Sequence, residues 1–217
     1  MTLRDITAQI IMKPVRFTLT GFFAFFVSLH CMTVEIHPLE PFLPQNATIL
    51  FLGSFPPPRT RWLMDFFYPN FNNDFWRVMG LVHFGDANHF VTSSGKRFNY
   101  DAVVEFCRKA GLAFFDTASK VCRLKDNASD AFLEILEPTD VGALLARLPK
   151  CHTVVTTGGK ASEQLATLLK VDCPAPGTYV DLTAFGQAIR WWRMPSTSRA
   201  YPLPLAAKAA AYSKLWI

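Results

Sequence analysis

The sequence predicts an α/β protein, built as a three-layer α/β/α sandwich around a central, mostly parallel four-stranded sheet. Short continuous apolar runs, such as residues 49–52 (ILFL), are typical of strands that are buried on both faces. Segments with a helical spacing of apolar residues alternate with these runs, as expected of a parallel sheet covered by helices. The 217 residues are 50% hydrophobic and 18% charged, so a sizeable core can form, and disordered or low-complexity classes are excluded.

The predicted elements follow one another in a regular order. Residues 35–46 are rich in proline and predict an extended lead-in to the first strand, and residues 116–130 predict a loop. The predicted strands are 49–52, 112–115, 152–156 and the weaker pair 179–182 and 188–192, which we expect to meet around Gly186. The predicted helices are 75–84, capped by Asn73 or Asp74, then 100–110, a segment starting at Pro138, 160–170 and 205–216.

Residues 1–31 form a predicted non-native or targeting-like N-terminal extension, and residues 32–217 form the predicted domain. Lys13 and Arg16 precede an apolar run of about a dozen residues, which is typical of a signal-peptide core and too short for a membrane span. Met32 opens a stretch that is typical of an ordinary protein start. We therefore expect Met32 to be the working start of a cytoplasmic protein that has no stable association with membranes.

The five cysteines are widely spaced and include no C-x-x-C pair. An odd number at this spacing argues against a disulfide framework, a zinc site and an iron–sulfur cluster. We therefore expect reduced thiols, no metal and no cofactor.

Four loops follow the predicted strand ends, where parallel sheets bind their ligands. These candidate functional loops are residues 53–73, 116–130, 157–160 and 194–204. The third reads T-T-G-G-K-A and lacks the full spacing of a nucleotide phosphate loop, so it favours a tight strand–helix turn.

Glycine and aromatic side chains dominate the first loop. Gly53 at the strand end lets backbone N–H groups approach a ligand. Phe55, Phe67 and Tyr68 offer flat rings for stacking. The Asn73 amide can orient water or bond a base edge. A loop packed on the core, with Asn73 as a helix cap, explains the same residues and is favoured when the loop is taken alone.

Asp116 follows an apolar run, so its carboxyl group should lie partly desolvated at a strand end. There it can accept hydrogen bonds from two donors, or keep a proton and donate as well. A carboxylate that caps a turn or pairs with Arg123 is an equally good interpretation.

The last loop contains the PSTSR loop (residues 195–199), whose side chains suit phosphate. Ser196, Thr197 and Ser198 can bond to phosphate oxygens, and Arg199 can pair with phosphate or probe a groove. The net charge is +5, and residues 182–217 carry five cations and no carboxylate. This one-sided charge suits a polyanion such as nucleic acid, although charge alone favours a solvated face.

The order of these motifs along the chain resembles that of the uracil-DNA glycosylase superfamily. Its hypoxanthine-DNA glycosylase-like or mismatch-specific branch carries G-S-M-P-G, then H-P-x-N-x-F-W, then L-P-S-T-S-P-A. Here residues 53–56 read G-S-F-P, residues 73–76 read N-D-F-W and residues 195–198 read P-S-T-S. The resemblance covers residues 49–212 in the same motif order.

The resemblance implies a monofunctional glycosylase of base excision repair, which hydrolyses the N-glycosidic bond of a damaged base without a metal or a covalent intermediate. It implies that Asn73 supports catalysis. Backbone N–H groups near Ser54 and Phe55 would stabilise the departing base, which carries negative charge.

The resemblance also implies that the base is flipped out of DNA and read inside the protein. Asp116 falls where the superfamily carries its base-discriminating residue. Phe67 or Tyr68 would stack on the base, together with Phe55. The implied DNA contacts are Lys160, Ser196, Thr197, Ser198 and Arg199, the last in the position of a wedge residue.

Three departures distinguish this chain from the superfamily's pattern. The first motif lacks the aspartate and the asparagine with which other branches activate water, and Met194 stands where the most active branch has a histidine. Asp116 replaces the asparagine of uracil-specific enzymes, and an ionised carboxylate repels the uracil O4 acceptor and favours bases that present N–H donors. The alternatives are a catalytically silent nucleic-acid-binding relative and a nucleotide hydrolase that uses residues 157–160.

Overall fold

The computed structural model describes residues 33–123 and 132–216, and the predicted extension over residues 1–31 lies outside this part of the chain. The described strands are β1 (Thr33–Ile36), β2 (Ile49–Gly53), β3 (Leu112–Asp116), β4 (Ala118–Arg123), β5 (Leu133–Pro138), β6 (Thr153–Thr157), β7 (Thr178–Ala184) and β8 (Gln187–Met194). The described helices are α1 (Phe75–Phe84), α2 (Tyr100–Ala110), α3 (Val141–Ala146), α4 (Gly159–Leu169) and α5 (Leu205–Ser213), with short 3-10 helices at Arg59–Arg61 and Lys214–Trp216.

The main sheet has five strands in the order β3-β2-β6-β8-β7. Strands β2, β3, β6 and β8 run parallel, and every residue of β2 and β3 is buried, as their continuous apolar runs predict. Strand β7 runs antiparallel to β8, and the tight turn between them contains Phe185 and Gly186 with φ of 54° and 79°. The α/β class is confirmed, with a mixed sheet of five strands in place of the predicted four.

A second, antiparallel sheet has the order β1-β4-β5. Strand β1 overlaps the predicted lead-in, β4 lies within the predicted loop of residues 116–130, and β5 lies where the sequence predicts no strand. Strand β4 buries Val121 and Cys122 but also carries Lys120 and Arg123, so its apolar signal is too short to predict a strand. Two N–O contacts of 2.7 and 3.1 Å between Arg123 and Glu35 join β4 to β1. The ion pair holds this sheet together at its β1–β4 boundary.

Helix α3 begins at Val141 rather than at the predicted Pro138, which ends β5. Asp140 supplies the helix cap, because its side chain accepts the N–H of Ala143 at 2.9 Å. The capping side chain, rather than the proline, therefore sets the start of this helix.

Aromatic rings fill the core behind the first candidate loop. Phe51 and Phe114 come from paired strands and stack with centroids 5.3 Å apart, while Phe75 of α1 meets Phe51 edge-on at 5.4 Å. Tyr212 of α5 lies 6.2 Å from Phe75 and donates its hydroxyl to the Pro195 carbonyl at 2.9 Å. These contacts join the start of α1 and the PSTSR loop to one rigid core.

Candidate functional site

The carboxyl ends of the four parallel strands meet at one edge of the main sheet. Gly53 of β2 pairs with Asp116 of β3, and Thr157 of β6 pairs with Met194 of β8. Ser54, which is half-buried, follows directly after Gly53. The four candidate loops leave the sheet from these strand ends, so the structure brings their first residues together as the sequence predicts.

The carboxylate of Asp116 lies directly against Gly53. A β-carbon at position 53 would be 2.4 Å from Asp116 Oδ1 and 3.8 Å from the hydroxyl oxygen of Tyr68. Because a real β-carbon does not come so close to an oxygen, only glycine leaves room for this carboxylate. The glycine of the first motif therefore has a steric role at the strand end.

Sequence reasoning does not find His37, although its ring contacts Asp116. Nε2 of His37 lies 2.9 Å from Asp116 Oδ2, and the two side chains are 3% and 11% exposed. Nδ1 of His37 lies 2.9 Å from the carbonyl oxygen and 3.2 Å from the nitrogen of Leu39. Asp116 thus pairs with His37 and not with Arg123, which binds Glu35 instead. His37 lies in a proline-rich stretch without periodicity, so no sequence signal singles it out.

Tyr68 connects three elements at the same edge. Its ring stacks on Phe75 of α1 with centroids 3.8 Å apart, and its hydroxyl lies 2.7 Å from Thr157 Oγ1 at the end of β6. Burial, helped by the charge of Asp116 and opposed by the bond to Thr157, raises the pKa of Tyr68 far above its ordinary value. Its φ of 53° lies in the left-handed region, which tyrosine seldom adopts.

The three predicted stacking rings have different surroundings. Phe67 is 5% exposed and packs on Phe114 at 5.8 Å, so its ring belongs to the core and offers no free face to a base. Tyr68 has one ring face covered by core packing. Phe55 is half-buried and meets His37 edge-on at 5.3 Å. Phe55 is therefore the predicted ring best suited to stacking beside Asp116.

Asn73 and Ser198 form an isolated antiparallel bridge, and the N–H of Asp74 donates to the Thr197 carbonyl at 2.9 Å. The start of α1 and the PSTSR loop are thus brought together. Asp74 holds the N-cap position of α1, and Oδ1 of the preceding Asn73 accepts the first helical N–H, that of Phe75, at 2.9 Å. The amide nitrogen is the part of the side chain left for the predicted catalytic role.

The hydroxyls of the PSTSR loop are partly used to turn the loop itself. Ser196 Oγ accepts the N–H of Ser198, and Ser198 Oγ accepts the N–H of Ala200, both at 3.2 Å. Both serines are half-buried and keep hydrogen-bonding capacity at the surface. Thr197 is 2% exposed, so its hydroxyl is not placed for the predicted contact with phosphate.

Arg199 folds back toward the start of α1. Its Nε lies 3.2 Å from Asp74 Oδ1 and its Nη1 lies 3.3 Å from Asn72 Oδ1, while 49% of the side chain stays exposed. Burial, together with the positive charge of Arg199, lowers the pKa of the neighbouring Arg77. About half of the Arg199 side chain is therefore left at the surface, where its guanidinium can meet an anion.

Carboxylates from other segments neutralise much of the basic excess in residues 182–217. Arg190 binds Asp181 through contacts of 2.7 and 2.9 Å, and Asp74 binds both Arg199 and Lys208. The basic excess of this part of the sequence is therefore partly balanced by carboxylates in the folded protein. This agrees with a solvated surface, the interpretation that the charge alone favours.

The turn over residues 157–160 is tight, as predicted. Gly158 has a φ of 95°, and its N–H donates to the Met194 carbonyl at 3.1 Å. A β-carbon at Gly158 would lie 3.5 Å from Cβ of Ser196, and Lys160 is half-buried in the first turn of α4. Because the protein itself uses this donor, the turn gives no support to a nucleotide phosphate loop.

The described cysteines, Cys107, Cys122, Cys151 and Cys173, are free thiols. Burial raises the pKa of Cys151 to about 11, so its thiol keeps its proton at neutral pH. Within residues 33–123 and 132–216, no group of three or more His, Cys, Asp or Glu side chains could hold a metal ion. In the same residues, every helix is too short or too polar to span a membrane.

No protein-family model matches the chain, and no curated protein matches it. The solution NMR structure of a putative uracil DNA glycosylase from Methanosarcina acetivorans does match, with a TM-score of 0.56. The match covers 85% of this chain and 100% of that chain at 20% sequence identity. At this identity the likeness establishes a shared fold.

Proposed function

We propose that the protein is a monofunctional DNA glycosylase of the uracil-DNA glycosylase superfamily, which hydrolyses the N-glycosidic bond of a damaged or deaminated base. The observation that carries the proposal is the meeting of four chain segments at one sheet edge: Gly53 pairs with Asp116, and Asn73 pairs with Ser198 of the PSTSR loop. The fold shared with the Methanosarcina acetivorans protein supports it. We further propose a cytoplasmic monomer of the hypoxanthine-DNA glycosylase-like or mismatch-specific branch, with the three-layer arrangement of that superfamily.

In the proposed reaction, the bond breaks through an oxocarbenium-like sugar and leaves negative charge on the departing base. Backbone N–H groups at Ser54 and Phe55, which follow the end of β2, would stabilise that charge. The Asn73 amide nitrogen would position the water that attacks the sugar, since its oxygen already caps α1. The reaction needs neither a metal nor a cofactor.

The flipped base would lie between Phe55 and the carboxylate of Asp116. Flipping costs a few kcal/mol, and the cost is lowest at a mismatched or damaged pair, which supplies part of the selectivity. Exposed Arg199, with Lys160, Ser196 and Ser198, would contact phosphates around the extruded nucleotide.

A catalytically silent DNA-binding relative is the second candidate function. Met194, which stands where the most active branch has a histidine, is 1% exposed and therefore offers no group to a substrate. The oxygen of Asn73 is also committed to α1. Such a relative would bind damaged DNA without releasing a base.

A panel of labelled duplexes containing uracil, hypoxanthine, xanthine or a G·T mismatch tests the proposal. Excision is measured in single-turnover reactions as alkali-labile abasic sites, with an undamaged duplex and Asn73→Ala protein as controls. We expect abasic product from at least one damaged duplex. Binding without product on every duplex would favour the silent relative and overturn the assignment as an enzyme.

A further inference from the structure

His37 is held in a closed aromatic setting at the sheet edge. Its ring centroid lies 4.4 Å from that of Phe115 and 5.3 Å from that of Phe55, and 3% of its side chain is exposed. A ring packed in this way cannot turn away from its hydrogen-bond partners without opening the core. The contact between His37 and Asp116 is therefore a fixed feature of the fold.

The direction of the hydrogen bond follows from the partners of both ring nitrogens. Nδ1 lies beside the carbonyl oxygen and the N–H of Leu39, so it can either donate or accept. Because the N–H of Leu39 donates to Nδ1 at 3.2 Å, we assign the ring proton to Nε2, which donates to Asp116 Oδ2.

The second oxygen of Asp116 has a different environment. Oδ1 lies over Gly53, in the space that a β-carbon would occupy. In residues 33–123 and 132–216, His37 is the only side chain that hydrogen-bonds to the Asp116 carboxylate, and it uses Oδ2. The carboxylate thus keeps Oδ1 as an acceptor beside the first motif.

We propose that His37 is a specificity-positioning residue, which holds Asp116 as an acceptor with Oδ1 turned toward the bound base. The pair then selects bases whose edge presents an N–H donor, such as the N1–H of hypoxanthine, and disfavours bases that present only acceptors. This inference rests on the proposed function, because it names the substrate class of the same site. His37 acts through Asp116, since both of its own ring nitrogens already have partners.

The competing explanation is that His37 only joins the segment after β1 to the core. The two explanations differ in what they predict for substrate choice. A structural contact would affect stability and all substrates equally, whereas a positioning residue changes the ratio between two substrates that differ by one donor.

The experiment compares duplexes containing hypoxanthine or 1-methylhypoxanthine, in which a methyl group replaces the N1–H donor. Excision rates and binding by fluorescence anisotropy are measured for the wild type, His37→Phe and His37→Gln. His37→Phe keeps the ring packing without the donor, and His37→Gln restores an N–H near the position of Nε2. The cost of flipping cancels, because the same two duplexes are compared across the three proteins.

We expect the wild type to prefer hypoxanthine by at least about tenfold, the scale of one hydrogen bond to a charged group. His37→Phe should lose most of this preference and His37→Gln should regain it, with all three proteins folded in urea titrations. If His37→Phe does not fold, His37→Asn replaces it, because its amide matches Nδ1 and does not reach Asp116. A folded donor-free variant that keeps the wild-type preference would overturn the proposal.

The two proposals fail in different ways. If the wild type excises the base and substitution of His37 does not change the ratio of the hypoxanthine and 1-methylhypoxanthine rates, the protein is still a glycosylase. The proposed role of His37 is then wrong. If no base is excised, the assignment as a glycosylase is wrong, and the ratio of the affinities for the two duplexes tests the role of His37. A preference for hypoxanthine that depends on His37 supports the inference. Equal binding of the two duplexes overturns it.

Discussion

The ammonium nitrogen of Lys208 lies 2.9 Å from Oδ2 of Asp74, and the lysine is only 1% exposed. The same nitrogen donates to the Ser198 carbonyl at 2.9 Å. One buried cation of α5 therefore holds both the start of α1 and the PSTSR loop. These contacts lie directly beside the bridge between Asn73 and Ser198.

Replacing Lys208 by methionine should cost about 3 kcal/mol of unfolding free energy, because it leaves the buried Asp74 carboxylate without its main partner. Urea unfolding measures the loss. The double variant Asp74→Asn/Lys208→Met should recover part of the stability, since no buried charge is then left unpaired and Arg199, which also loses Asp74, is half exposed. Equal stability of the single and double variants would contradict the buried ion pair.

Replacing Gly53 by alanine should displace the Asp116 carboxylate, because the new β-carbon would lie 2.4 Å from Oδ1. We expect a loss of base excision of about tenfold or more, on the scale of one misplaced hydrogen-bonding group. Gly159→Ala is the matched control, since the nearest atom to its β-carbon is Glu163 Oε1 at 3.7 Å. Single-turnover rates that fall equally in both variants would show that the steric role of Gly53 is not specific.

The parts of the fold that could be predicted from sequence are those with long apolar runs. Strands β2 and β3 are buried at every position, so their composition alone marks them as strands. The candidate site could be located for the same reason, because ligand loops follow the carboxyl ends of such strands. Strands β4 and β5 escape prediction, since charged residues interrupt their apolar positions: Lys120 and Arg123 in β4, and the exposed Glu134 and Glu137 in β5.

Two central residues of the site carry no local signal. Lys208 lies in an alanine-rich helix, where a lysine normally faces solvent, and its burial depends on Asp74, which is 134 positions away along the chain. His37 is 79 positions from Asp116. Such pairings result from tertiary packing, so a single sequence without periodicity at those positions cannot reveal them.

Replacing Asn73 by alanine should lower excision by about a hundredfold, on the scale of losing a positioned donor, while DNA binding is kept. The same change removes the cap on the Phe75 N–H and should cost about 1 kcal/mol of stability. Asn73→Asp separates the two roles, because its carboxylate keeps the cap and lacks the amide N–H groups. A stable Asn73→Asp protein with a wild-type single-turnover rate would remove Asn73 from the mechanism.

Replacing Asp116 by asparagine should shift the preference toward uracil. His37 would still donate to the side-chain oxygen, so the amide nitrogen takes the position of Oδ1 and offers a donor in place of an acceptor. Uracil presents two carbonyl acceptors beside its N3–H, whereas hypoxanthine presents one beside its N1–H, so uracil gains more from this change. The ratio of uracil to hypoxanthine excision, measured on matched duplexes, should rise by about tenfold. An unchanged ratio would show that Asp116 does not read the base.

Replacing Arg199 by glutamine should weaken DNA binding at low salt and make it less dependent on salt concentration. About half of the Arg199 side chain is exposed, so its guanidinium can contact a phosphate. A plot of log affinity against log salt should lose about one unit of slope, since one phosphate contact disappears.

Arg190→Gln is the matched control, because Arg190 pairs with Asp181 on β7 and lies opposite Thr153 at the first residue of β6, away from the carboxyl edge. Equal slopes for the wild type and Arg199→Gln would place the DNA-contacting surface away from the PSTSR loop.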